Sequence, residues 1–368
     1  MNFTQQIINW YEANKRDLPW RHTDDPYKIW LSEIILQQTR VNQGTAYYLR
    51  FVELFPTIKH LAEATEKQVL KVWQGLGYYS RARNLHKTAH HIHFHLNGVF
   101  PQTFESIREL FGVGDYTAAA ISSIVYHEAH AVVDGNVYRL LSRYFGVDAA
   151  IDTSIGKRKF ASLANSIIDV NRPGVFNQAM MEFGAIQCKP QNPDCSICPV
   201  MSACVGYREN RVSEYPVKSK TVNQRNRFFN FLVIHGSDGM YIRKRTDKDI
   251  WKNLYEPPMI ESDNAIDFSE LIKTVEWKRF FNGVEYVADE NPLLLNHALT
   301  HQQIQAQFWS IQVKGVINPA SLNNCFTVSE IVIDDYPIHR LFEKFLEKTS
   351  LFRFELLIWI VIFEHNLI

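Results

Sequence analysis

The sequence predicts a multi-domain protein, with an all-helical first domain followed by a smaller α+β one. Apolar residues recur at helical spacing as far as the cysteine-rich stretch that ends at Cys204. The texture turns β-rich after Arg227. Between the two, Tyr215 to Arg227 (YPVKSKTVNQRNR) carries basic residues, no acidic ones and little apolar periodicity, which marks a linker. The expected boundaries are 1–214 for the helical domain, 215–227 for the linker, 228–348 for the second domain, and a tail over 349–368 with no assigned role.

Within the first domain, helices are expected in WLSEIILQQTRV, ESIRELFGV, YTAAAISSIVY, VYRLLSRYF and FASLANSIIDV, with Gly and Pro between them. In the second, FFNFLVIHGSDGMYIRKR reads as a hairpin about a Gly-Ser-Asp-Gly turn. Further strands are expected at EWKRFFNGVEYVAD and IQAQFWSIQVKGV, and a helix at IHRLFEKFLEK.

The 368 residues are 46% hydrophobic and 21% charged, an ordinary globular composition. The 39 basic and 39 acidic residues balance, so net charge gives no sign of a nucleic-acid binder. Any such role must rest on local features. The N-terminus lacks a signal-peptide pattern. The longest apolar run, Leu356 to Phe363, is too short to span a bilayer as a helix. A cytoplasmic monomer without membrane attachment is expected.

Three local features carry chemistry. Glu33 lies among Trp30, Leu31, Ile34, Ile35 and Leu36, where an ionised carboxylate is costly. Asp134, in VVDGNVYRLLSR, precedes a helical run that it could cap, and it supplies a second carboxylate in a mainly apolar context. Between them, LFGVGDYTAAAI places Gly112 and Gly114 in a tight turn ahead of a helix, whose opening N–H groups suit a phosphate. Such a grip on a DNA backbone needs no high positive charge. Separately, Cys188, Cys195, Cys198 and Cys204 are spaced C-x6-C-x2-C-x5-C. Four thiolates from one loop can hold one compact metal centre, either zinc or an iron–sulfur cluster.

With these pieces assembled, the sequence resembles the adenine DNA glycosylases of the MutY family, in the helix-hairpin-helix glycosylase superfamily. RDLPWR, LSEIILQQTRV, QGLGYYSRARNL, LFGVGDYTAAA, DGNVYRLLSR, FNQAMMEFGA and the four-cysteine loop carry the resemblance, in family order. It implies a [4Fe–4S] cluster on the loop 188–204 and a Nudix-like second domain that recognises the lesion. That domain lacks the acidic box of active Nudix hydrolases, so it is expected to bind nucleotides without hydrolysing them. The partner implied is double-stranded DNA with adenine opposite 8-oxoguanine or guanine, which places the protein at the nucleoid.

Residue by residue, the resemblance makes Glu33 the general acid toward adenine and Asp134 the carboxylate facing the sugar. Asn136 matches a polar active-site residue, and Arg16, Trp20 and Gln178 match residues lining the adenine pocket. Gln38 and Tyr78 match side chains that wedge into the base stack. Thr300 and His301 match the polar pair reading 8-oxoguanine, with Leu299 where an aromatic is usual. Tyr116 stands where relatives of the endonuclease III type carry a Schiff-base lysine, so the resemblance implies a monofunctional enzyme. The competing readings are a bifunctional glycosylase/lyase acting on oxidised pyrimidines and a non-catalytic lesion-binding protein.

Overall fold

A computed structural model describes residues 2–219, 224–315, 317, 322 and 325–349. Two compact units emerge. One comprises Met1–Ala64 and Arg83–Thr221, and the other comprises Thr65–Ala82 and the chain from Val222 onward.

Twelve α-helices precede the linker among the described residues: α1 (Phe3–Asn14), α2 (Pro26–Leu36), α3 (Val41–Leu54), α4 (Ile58–Glu63), α5 (Glu66–Trp73), α6 (Ser80–His95), α7 (Phe104–Arg108), α8 (Asp115–Val125), α9 (Gly135–Phe145), α10 (Ser154–Ser166), α11 (Pro173–Glu182) and α12 (Val205–Arg208). Their starts follow local chemistry. Asn2 caps α1 by accepting from the Gln5 amide, and Asp25 caps α2 ahead of Pro26 at its first position.

Helix α2 is buried from Ile29 through Ile35 without a break. A helix apolar on every side belongs at the centre of its unit, and α2 packs against α3 and α8. Helix α8 is likewise buried from Thr117 to Ser123, where the run of three alanines allows close approach. Phe3, Ile7, Ile8 and Tyr11 of α1 close a second core with Val137, Leu140 and Leu141 of α9 and Phe176, Ala179 and Met180 of α11.

In the second unit, β1 (Arg225–Gly236) turns into β2 (Gly239–Lys244) with Gly236 paired to Gly239, which leaves Ser237-Asp238 as a two-residue turn. There follow β3 (Tyr255–Glu256), β4 (Met259–Ser262), α13 (Phe268–Leu271), α14 (Val275–Phe280), β5 (Glu285–Ala288), β6 (Leu293–Leu299), β7 (Gln302–Lys314), β8 (Phe326–Val328) and α15 (Arg340–Lys348). The sheet is mixed. β1 runs parallel to β7, while β4 lies antiparallel to β1, and β5 and β6 antiparallel to β7. Central β1 is buried from Phe229 to Ile234, as expected for a strand covered on both faces. Trp277, Phe280 and Phe281 cover it near Trp309, while Phe345 of α15 stacks on Phe308 at 4.4 Å.

Three expectations change. EWKRF falls in α14, because Thr274 accepts from the Trp277 amide as an N-cap and Trp277 and Phe280 share one helix face; only Glu285–Ala288 of that segment is a strand. The sheet starts at Arg225, inside the expected linker. Arg227 is only 6% exposed there, held by Asp249 and Glu261 through four contacts of 2.7–2.9 Å. Finally, Thr65–Ala82 groups with the later chain. Gln74 donates to Glu343, Asn253 donates to Glu66, and Lys67 lies 3.6 Å over the Tyr336 ring.

Among the described residues no helix is long and apolar enough to cross a membrane. The apolar stretch from Leu351 lies outside the described residues.

Candidate functional site

A cavity of about 220 Å³, the space of roughly seven waters, opens in the first unit between α2, α8, α11 and the start of α9. Arg16, Trp20, Glu33, Tyr116, Asp134, Asn136 and Gln178 all line it. Seven residues placed apart in the sequence therefore converge on one space.

Glu33 points into it from the most buried helix, with 8% of its surface exposed. Burial pushes its carboxyl up to about 7; the Tyr116 hydroxyl close by lowers it and the Asp134 charge adds to the rise. Tyr116 donates to Met181 Sδ at 3.3 Å, and burial raises its own pKa so far that the phenol stays protonated.

Asp134 is indeed the N-cap of α9. Its Oδ1 accepts from the Asn136 and Val137 amides at 2.9 and 2.8 Å, and its Oδ2 accepts from Asn136 Nδ2 at 2.8 Å. Burial pushes this carboxyl up, while the Val137 and Asn136 donors and the Arg139 charge pull it down. Capping and cavity lining are thus one geometry, since a cap at a helix start holds its carboxylate rigidly. Asn136 in turn accepts from Arg139, which also donates to the carbonyls of Gly184 and Cys188. A Cβ at Gly184 would lie 2.7 Å from Asn136, so only glycine permits this approach.

From α11, Gln178 accepts a hydrogen bond from the Tyr11 hydroxyl at 2.6 Å. Glu182, one turn later, accepts from Arg16 and Arg21. Burial pushes the Glu182 carboxyl up, but the arginine hydrogen bonds overcome it and hold it at about 2.

The hairpin before α8 carries Gly112 at φ 75°, and a Cβ there would lie 2.6 Å from Asn84. Gly114 stands at the N-cap of α8 in the open. After α11 a π-turn over Phe183–Gln187 leads into the cysteine loop. Cys188, Cys195, Cys198 and Cys204 are all free thiols lining one cavity with Arg143. Arg143 donates to Cys188 Sγ at 3.5 Å and to the carbonyls of Lys189 and Pro190. Among the described residues no three His, Cys, Asp or Glu groups are closed into a metal-holding cage. The donor set itself, four thiols under a cation, fits a sulfur-ligated centre.

Comparison with known proteins places this geometry. Residues 31–165 match the HhH-GPD superfamily of base excision DNA repair proteins, and residues 230–348 match the NUDIX domain. The chain is 37% identical over 276 residues to the adenine DNA glycosylase of Buchnera aphidicola subsp. Schizaphis graminum, covering 75% of this chain and 77% of that one. The chain belongs to the adenine DNA glycosylase family. The mouse adenine DNA glycosylase is 42% identical over 215 residues, covering 56% of this chain and 42% of its own. Among solved structures, a thermostable thymine-DNA glycosylase superposes with a TM-score of 0.53 at 29% identity, covering 56% of this chain and 95% of that one.

Two features of this adenine DNA glycosylase homologue lie outside the cavity. Gln38 and Tyr78 are exposed and adopt left-handed backbone, at φ 56° and 45°. Strain in non-glycine residues is kept where surroundings impose it. Thr300 and His301 form the two-residue turn between β6 and β7, and the Thr300 hydroxyl meets the Tyr78 hydroxyl at 2.6 Å. Sequence reasoning missed Tyr11, Arg21, Arg139 and Glu182. The available signal was the i,i+4 spacing of Gln178 and Glu182, which puts both on one face of α11.

Proposed function

We propose that the protein releases adenine mispaired with 8-oxoguanine or guanine in duplex DNA, as a monofunctional glycosylase that leaves an abasic site. The observation that carries this is the cavity that sets Glu33, with its pKa raised to about 7, beside Asp134 and Tyr116.

Breaking the adenine–sugar bond expels a poor anionic leaving group, so the base must be protonated as it departs. A carboxylic acid with a pKa near 7 keeps its proton at working pH yet can give it up, an advantage of about 10²–10⁴-fold. The sugar left behind develops oxocarbenium character. Asp134, held by three N–H donors, presents a carboxylate whose charge stabilises it. The base reaches the cavity by flipping out of the duplex, which costs a few kcal/mol. Arg16, Trp20 and Gln178 then contact it, and Asn136 holds Asp134 in place.

No lysine lines the cavity among the described residues, and the Tyr116 phenol cannot form a Schiff base. Both points favour the monofunctional reading over a lyase. The amide-rich hairpin at Gly112 and Gly114 would grip a phosphate, with Gln38 and Tyr78 filling the opened stack. Thr300 and His301 would read 8-oxoguanine, and the Tyr78–Thr300 contact supports a joint role for wedge and reader. Cys188, Cys195, Cys198 and Cys204 would hold a [4Fe–4S] cluster, which when bound cross-links the loop that follows α11.

The test is a duplex with 8-oxoguanine opposite adenine, analysed with and without alkali. Adenine release with strand cleavage only after alkali is expected. Cleavage without alkali would favour a lyase, and no release from any adenine mispair would overturn the reading.

A further inference from the structure

A closed ring of side chains starts and ends on α11. Glu182, 1% exposed, accepts from Arg21 Nη1 at 3.3 Å and Nη2 at 2.9 Å. The Arg21 guanidinium lies 5.3 Å from the centre of the Tyr11 ring, within cation–π range. Tyr11, 4% exposed, donates its hydroxyl to Gln178 Oε1 at 2.6 Å. Gln178 stands one helical turn before Glu182, which returns the ring to its origin. Gln178 and Glu182 face the cavity, while Tyr11 does not line it.

A glutamine amide carries an acceptor at one end and donors at the other, and rotation by half a turn exchanges them. Unpinned, it can satisfy either sense of a base edge. We infer that Tyr11 is a positioning residue that fixes the amide orientation of Gln178, and so sets which purine edge the cavity accepts. The Tyr11 ring lies against Arg21, which Glu182 holds in turn. With one lone pair of Oε1 taken by the Tyr11 hydroxyl, the other remains for a donor such as the exocyclic amino group of adenine. Glutamine paired with the N6/N7 edge is the usual protein match to adenine. Hypoxanthine presents a carbonyl in place of that amino group and meets the wrong end of the amide.

The inference rests on the adenine-excision reading, and one experiment separates the two. Single-turnover excision of adenine and of hypoxanthine, each opposite 8-oxoguanine, is measured for wild type, Tyr11→Phe, Gln178→Ala and the double variant. Tyr11→Phe keeps the ring and removes only the hydroxyl. Its adenine-to-hypoxanthine rate ratio is expected to fall roughly three- to tenfold, the range for one hydrogen bond. In the Gln178→Ala background the same substitution should leave the ratio unchanged, because the partner is gone. Equal slowing of both substrates with an unchanged ratio would show Tyr11 to be merely structural and overturn the inference while the function stands. A wild-type protein that releases no adenine would overturn the function, and the inference with it.

Discussion

Glu33, buried with its carboxyl pushed up to about 7, ties the stability of the fold to pH. The folded protein keeps its proton up to a pKa of about 7, whereas the unfolded chain releases it near 4.5. Between those values the folded state binds more protons. The stability this group contributes is therefore complete below pH 4.5 and is lost as pH rises through 7. Glu33→Gln should stabilise the fold at pH 8 by on the order of 1–3 kcal/mol relative to wild type, read as a higher melting temperature, and leave it nearly unchanged at pH 4.5. The same variant should lose at least about 10²-fold in adenine release. In the wild type, the single-turnover rate should fall as pH rises through about 7; a rate that climbs across that range would remove Glu33 as the acid. The carboxylate itself was legible in the sequence because charge in an apolar run is conspicuous. Its partner Tyr116 is 83 positions away, and only the fold brings the two together.

Helices α9 and α11 place the site by contacts that local pattern could not reveal. The Asp134 cap could be foreseen from an acidic residue before a helical run, and the structure bears it out as both cap and cavity wall. What holds α9 close to the π-turn after α11 is Gly184, packed on Asn136. Gly184→Ala is expected to force that approach apart, at a cost of about 1–3 kcal/mol typical of overpacking. Adenine release should drop more than DNA affinity, and equal losses in a binding assay and in single-turnover rate would contradict this. Helix α14 was misread as strand because WKRFF is short and aromatic, and aromatics suit either element. Thr274 and the spacing of Trp277 and Phe280 decide it. The start of β1 was missed for a different reason. Arg227 reads as a linker charge until Asp249 and Glu261, both distant in sequence, neutralise it.

For the whole molecule, balanced charge makes a prediction about DNA. A grip made mainly by backbone amides releases fewer counterions than one made by many lysines and arginines. Affinity for a mispair duplex should fall by less than about 10³-fold between 50 and 200 mM salt, the lower bound for proteins with six to ten phosphate contacts. Fluorescence anisotropy across that range checks it, and a steeper fall would require a cationic surface that the sequence does not suggest. The sequence by itself determined the two fold classes, the cysteine loop, the hairpin and the pair of carboxylates, because spacing and residue type are local properties. The tertiary structure alone decided how far Glu33 is desolvated, that Arg16, Trp20, Arg21, Gln178 and Glu182 share its cavity, and that Tyr11 stands behind them. It also decided that Thr65–Ala82 groups with the later chain. Burial and pairing depend on which distant segments meet, and no local pattern encodes that distance.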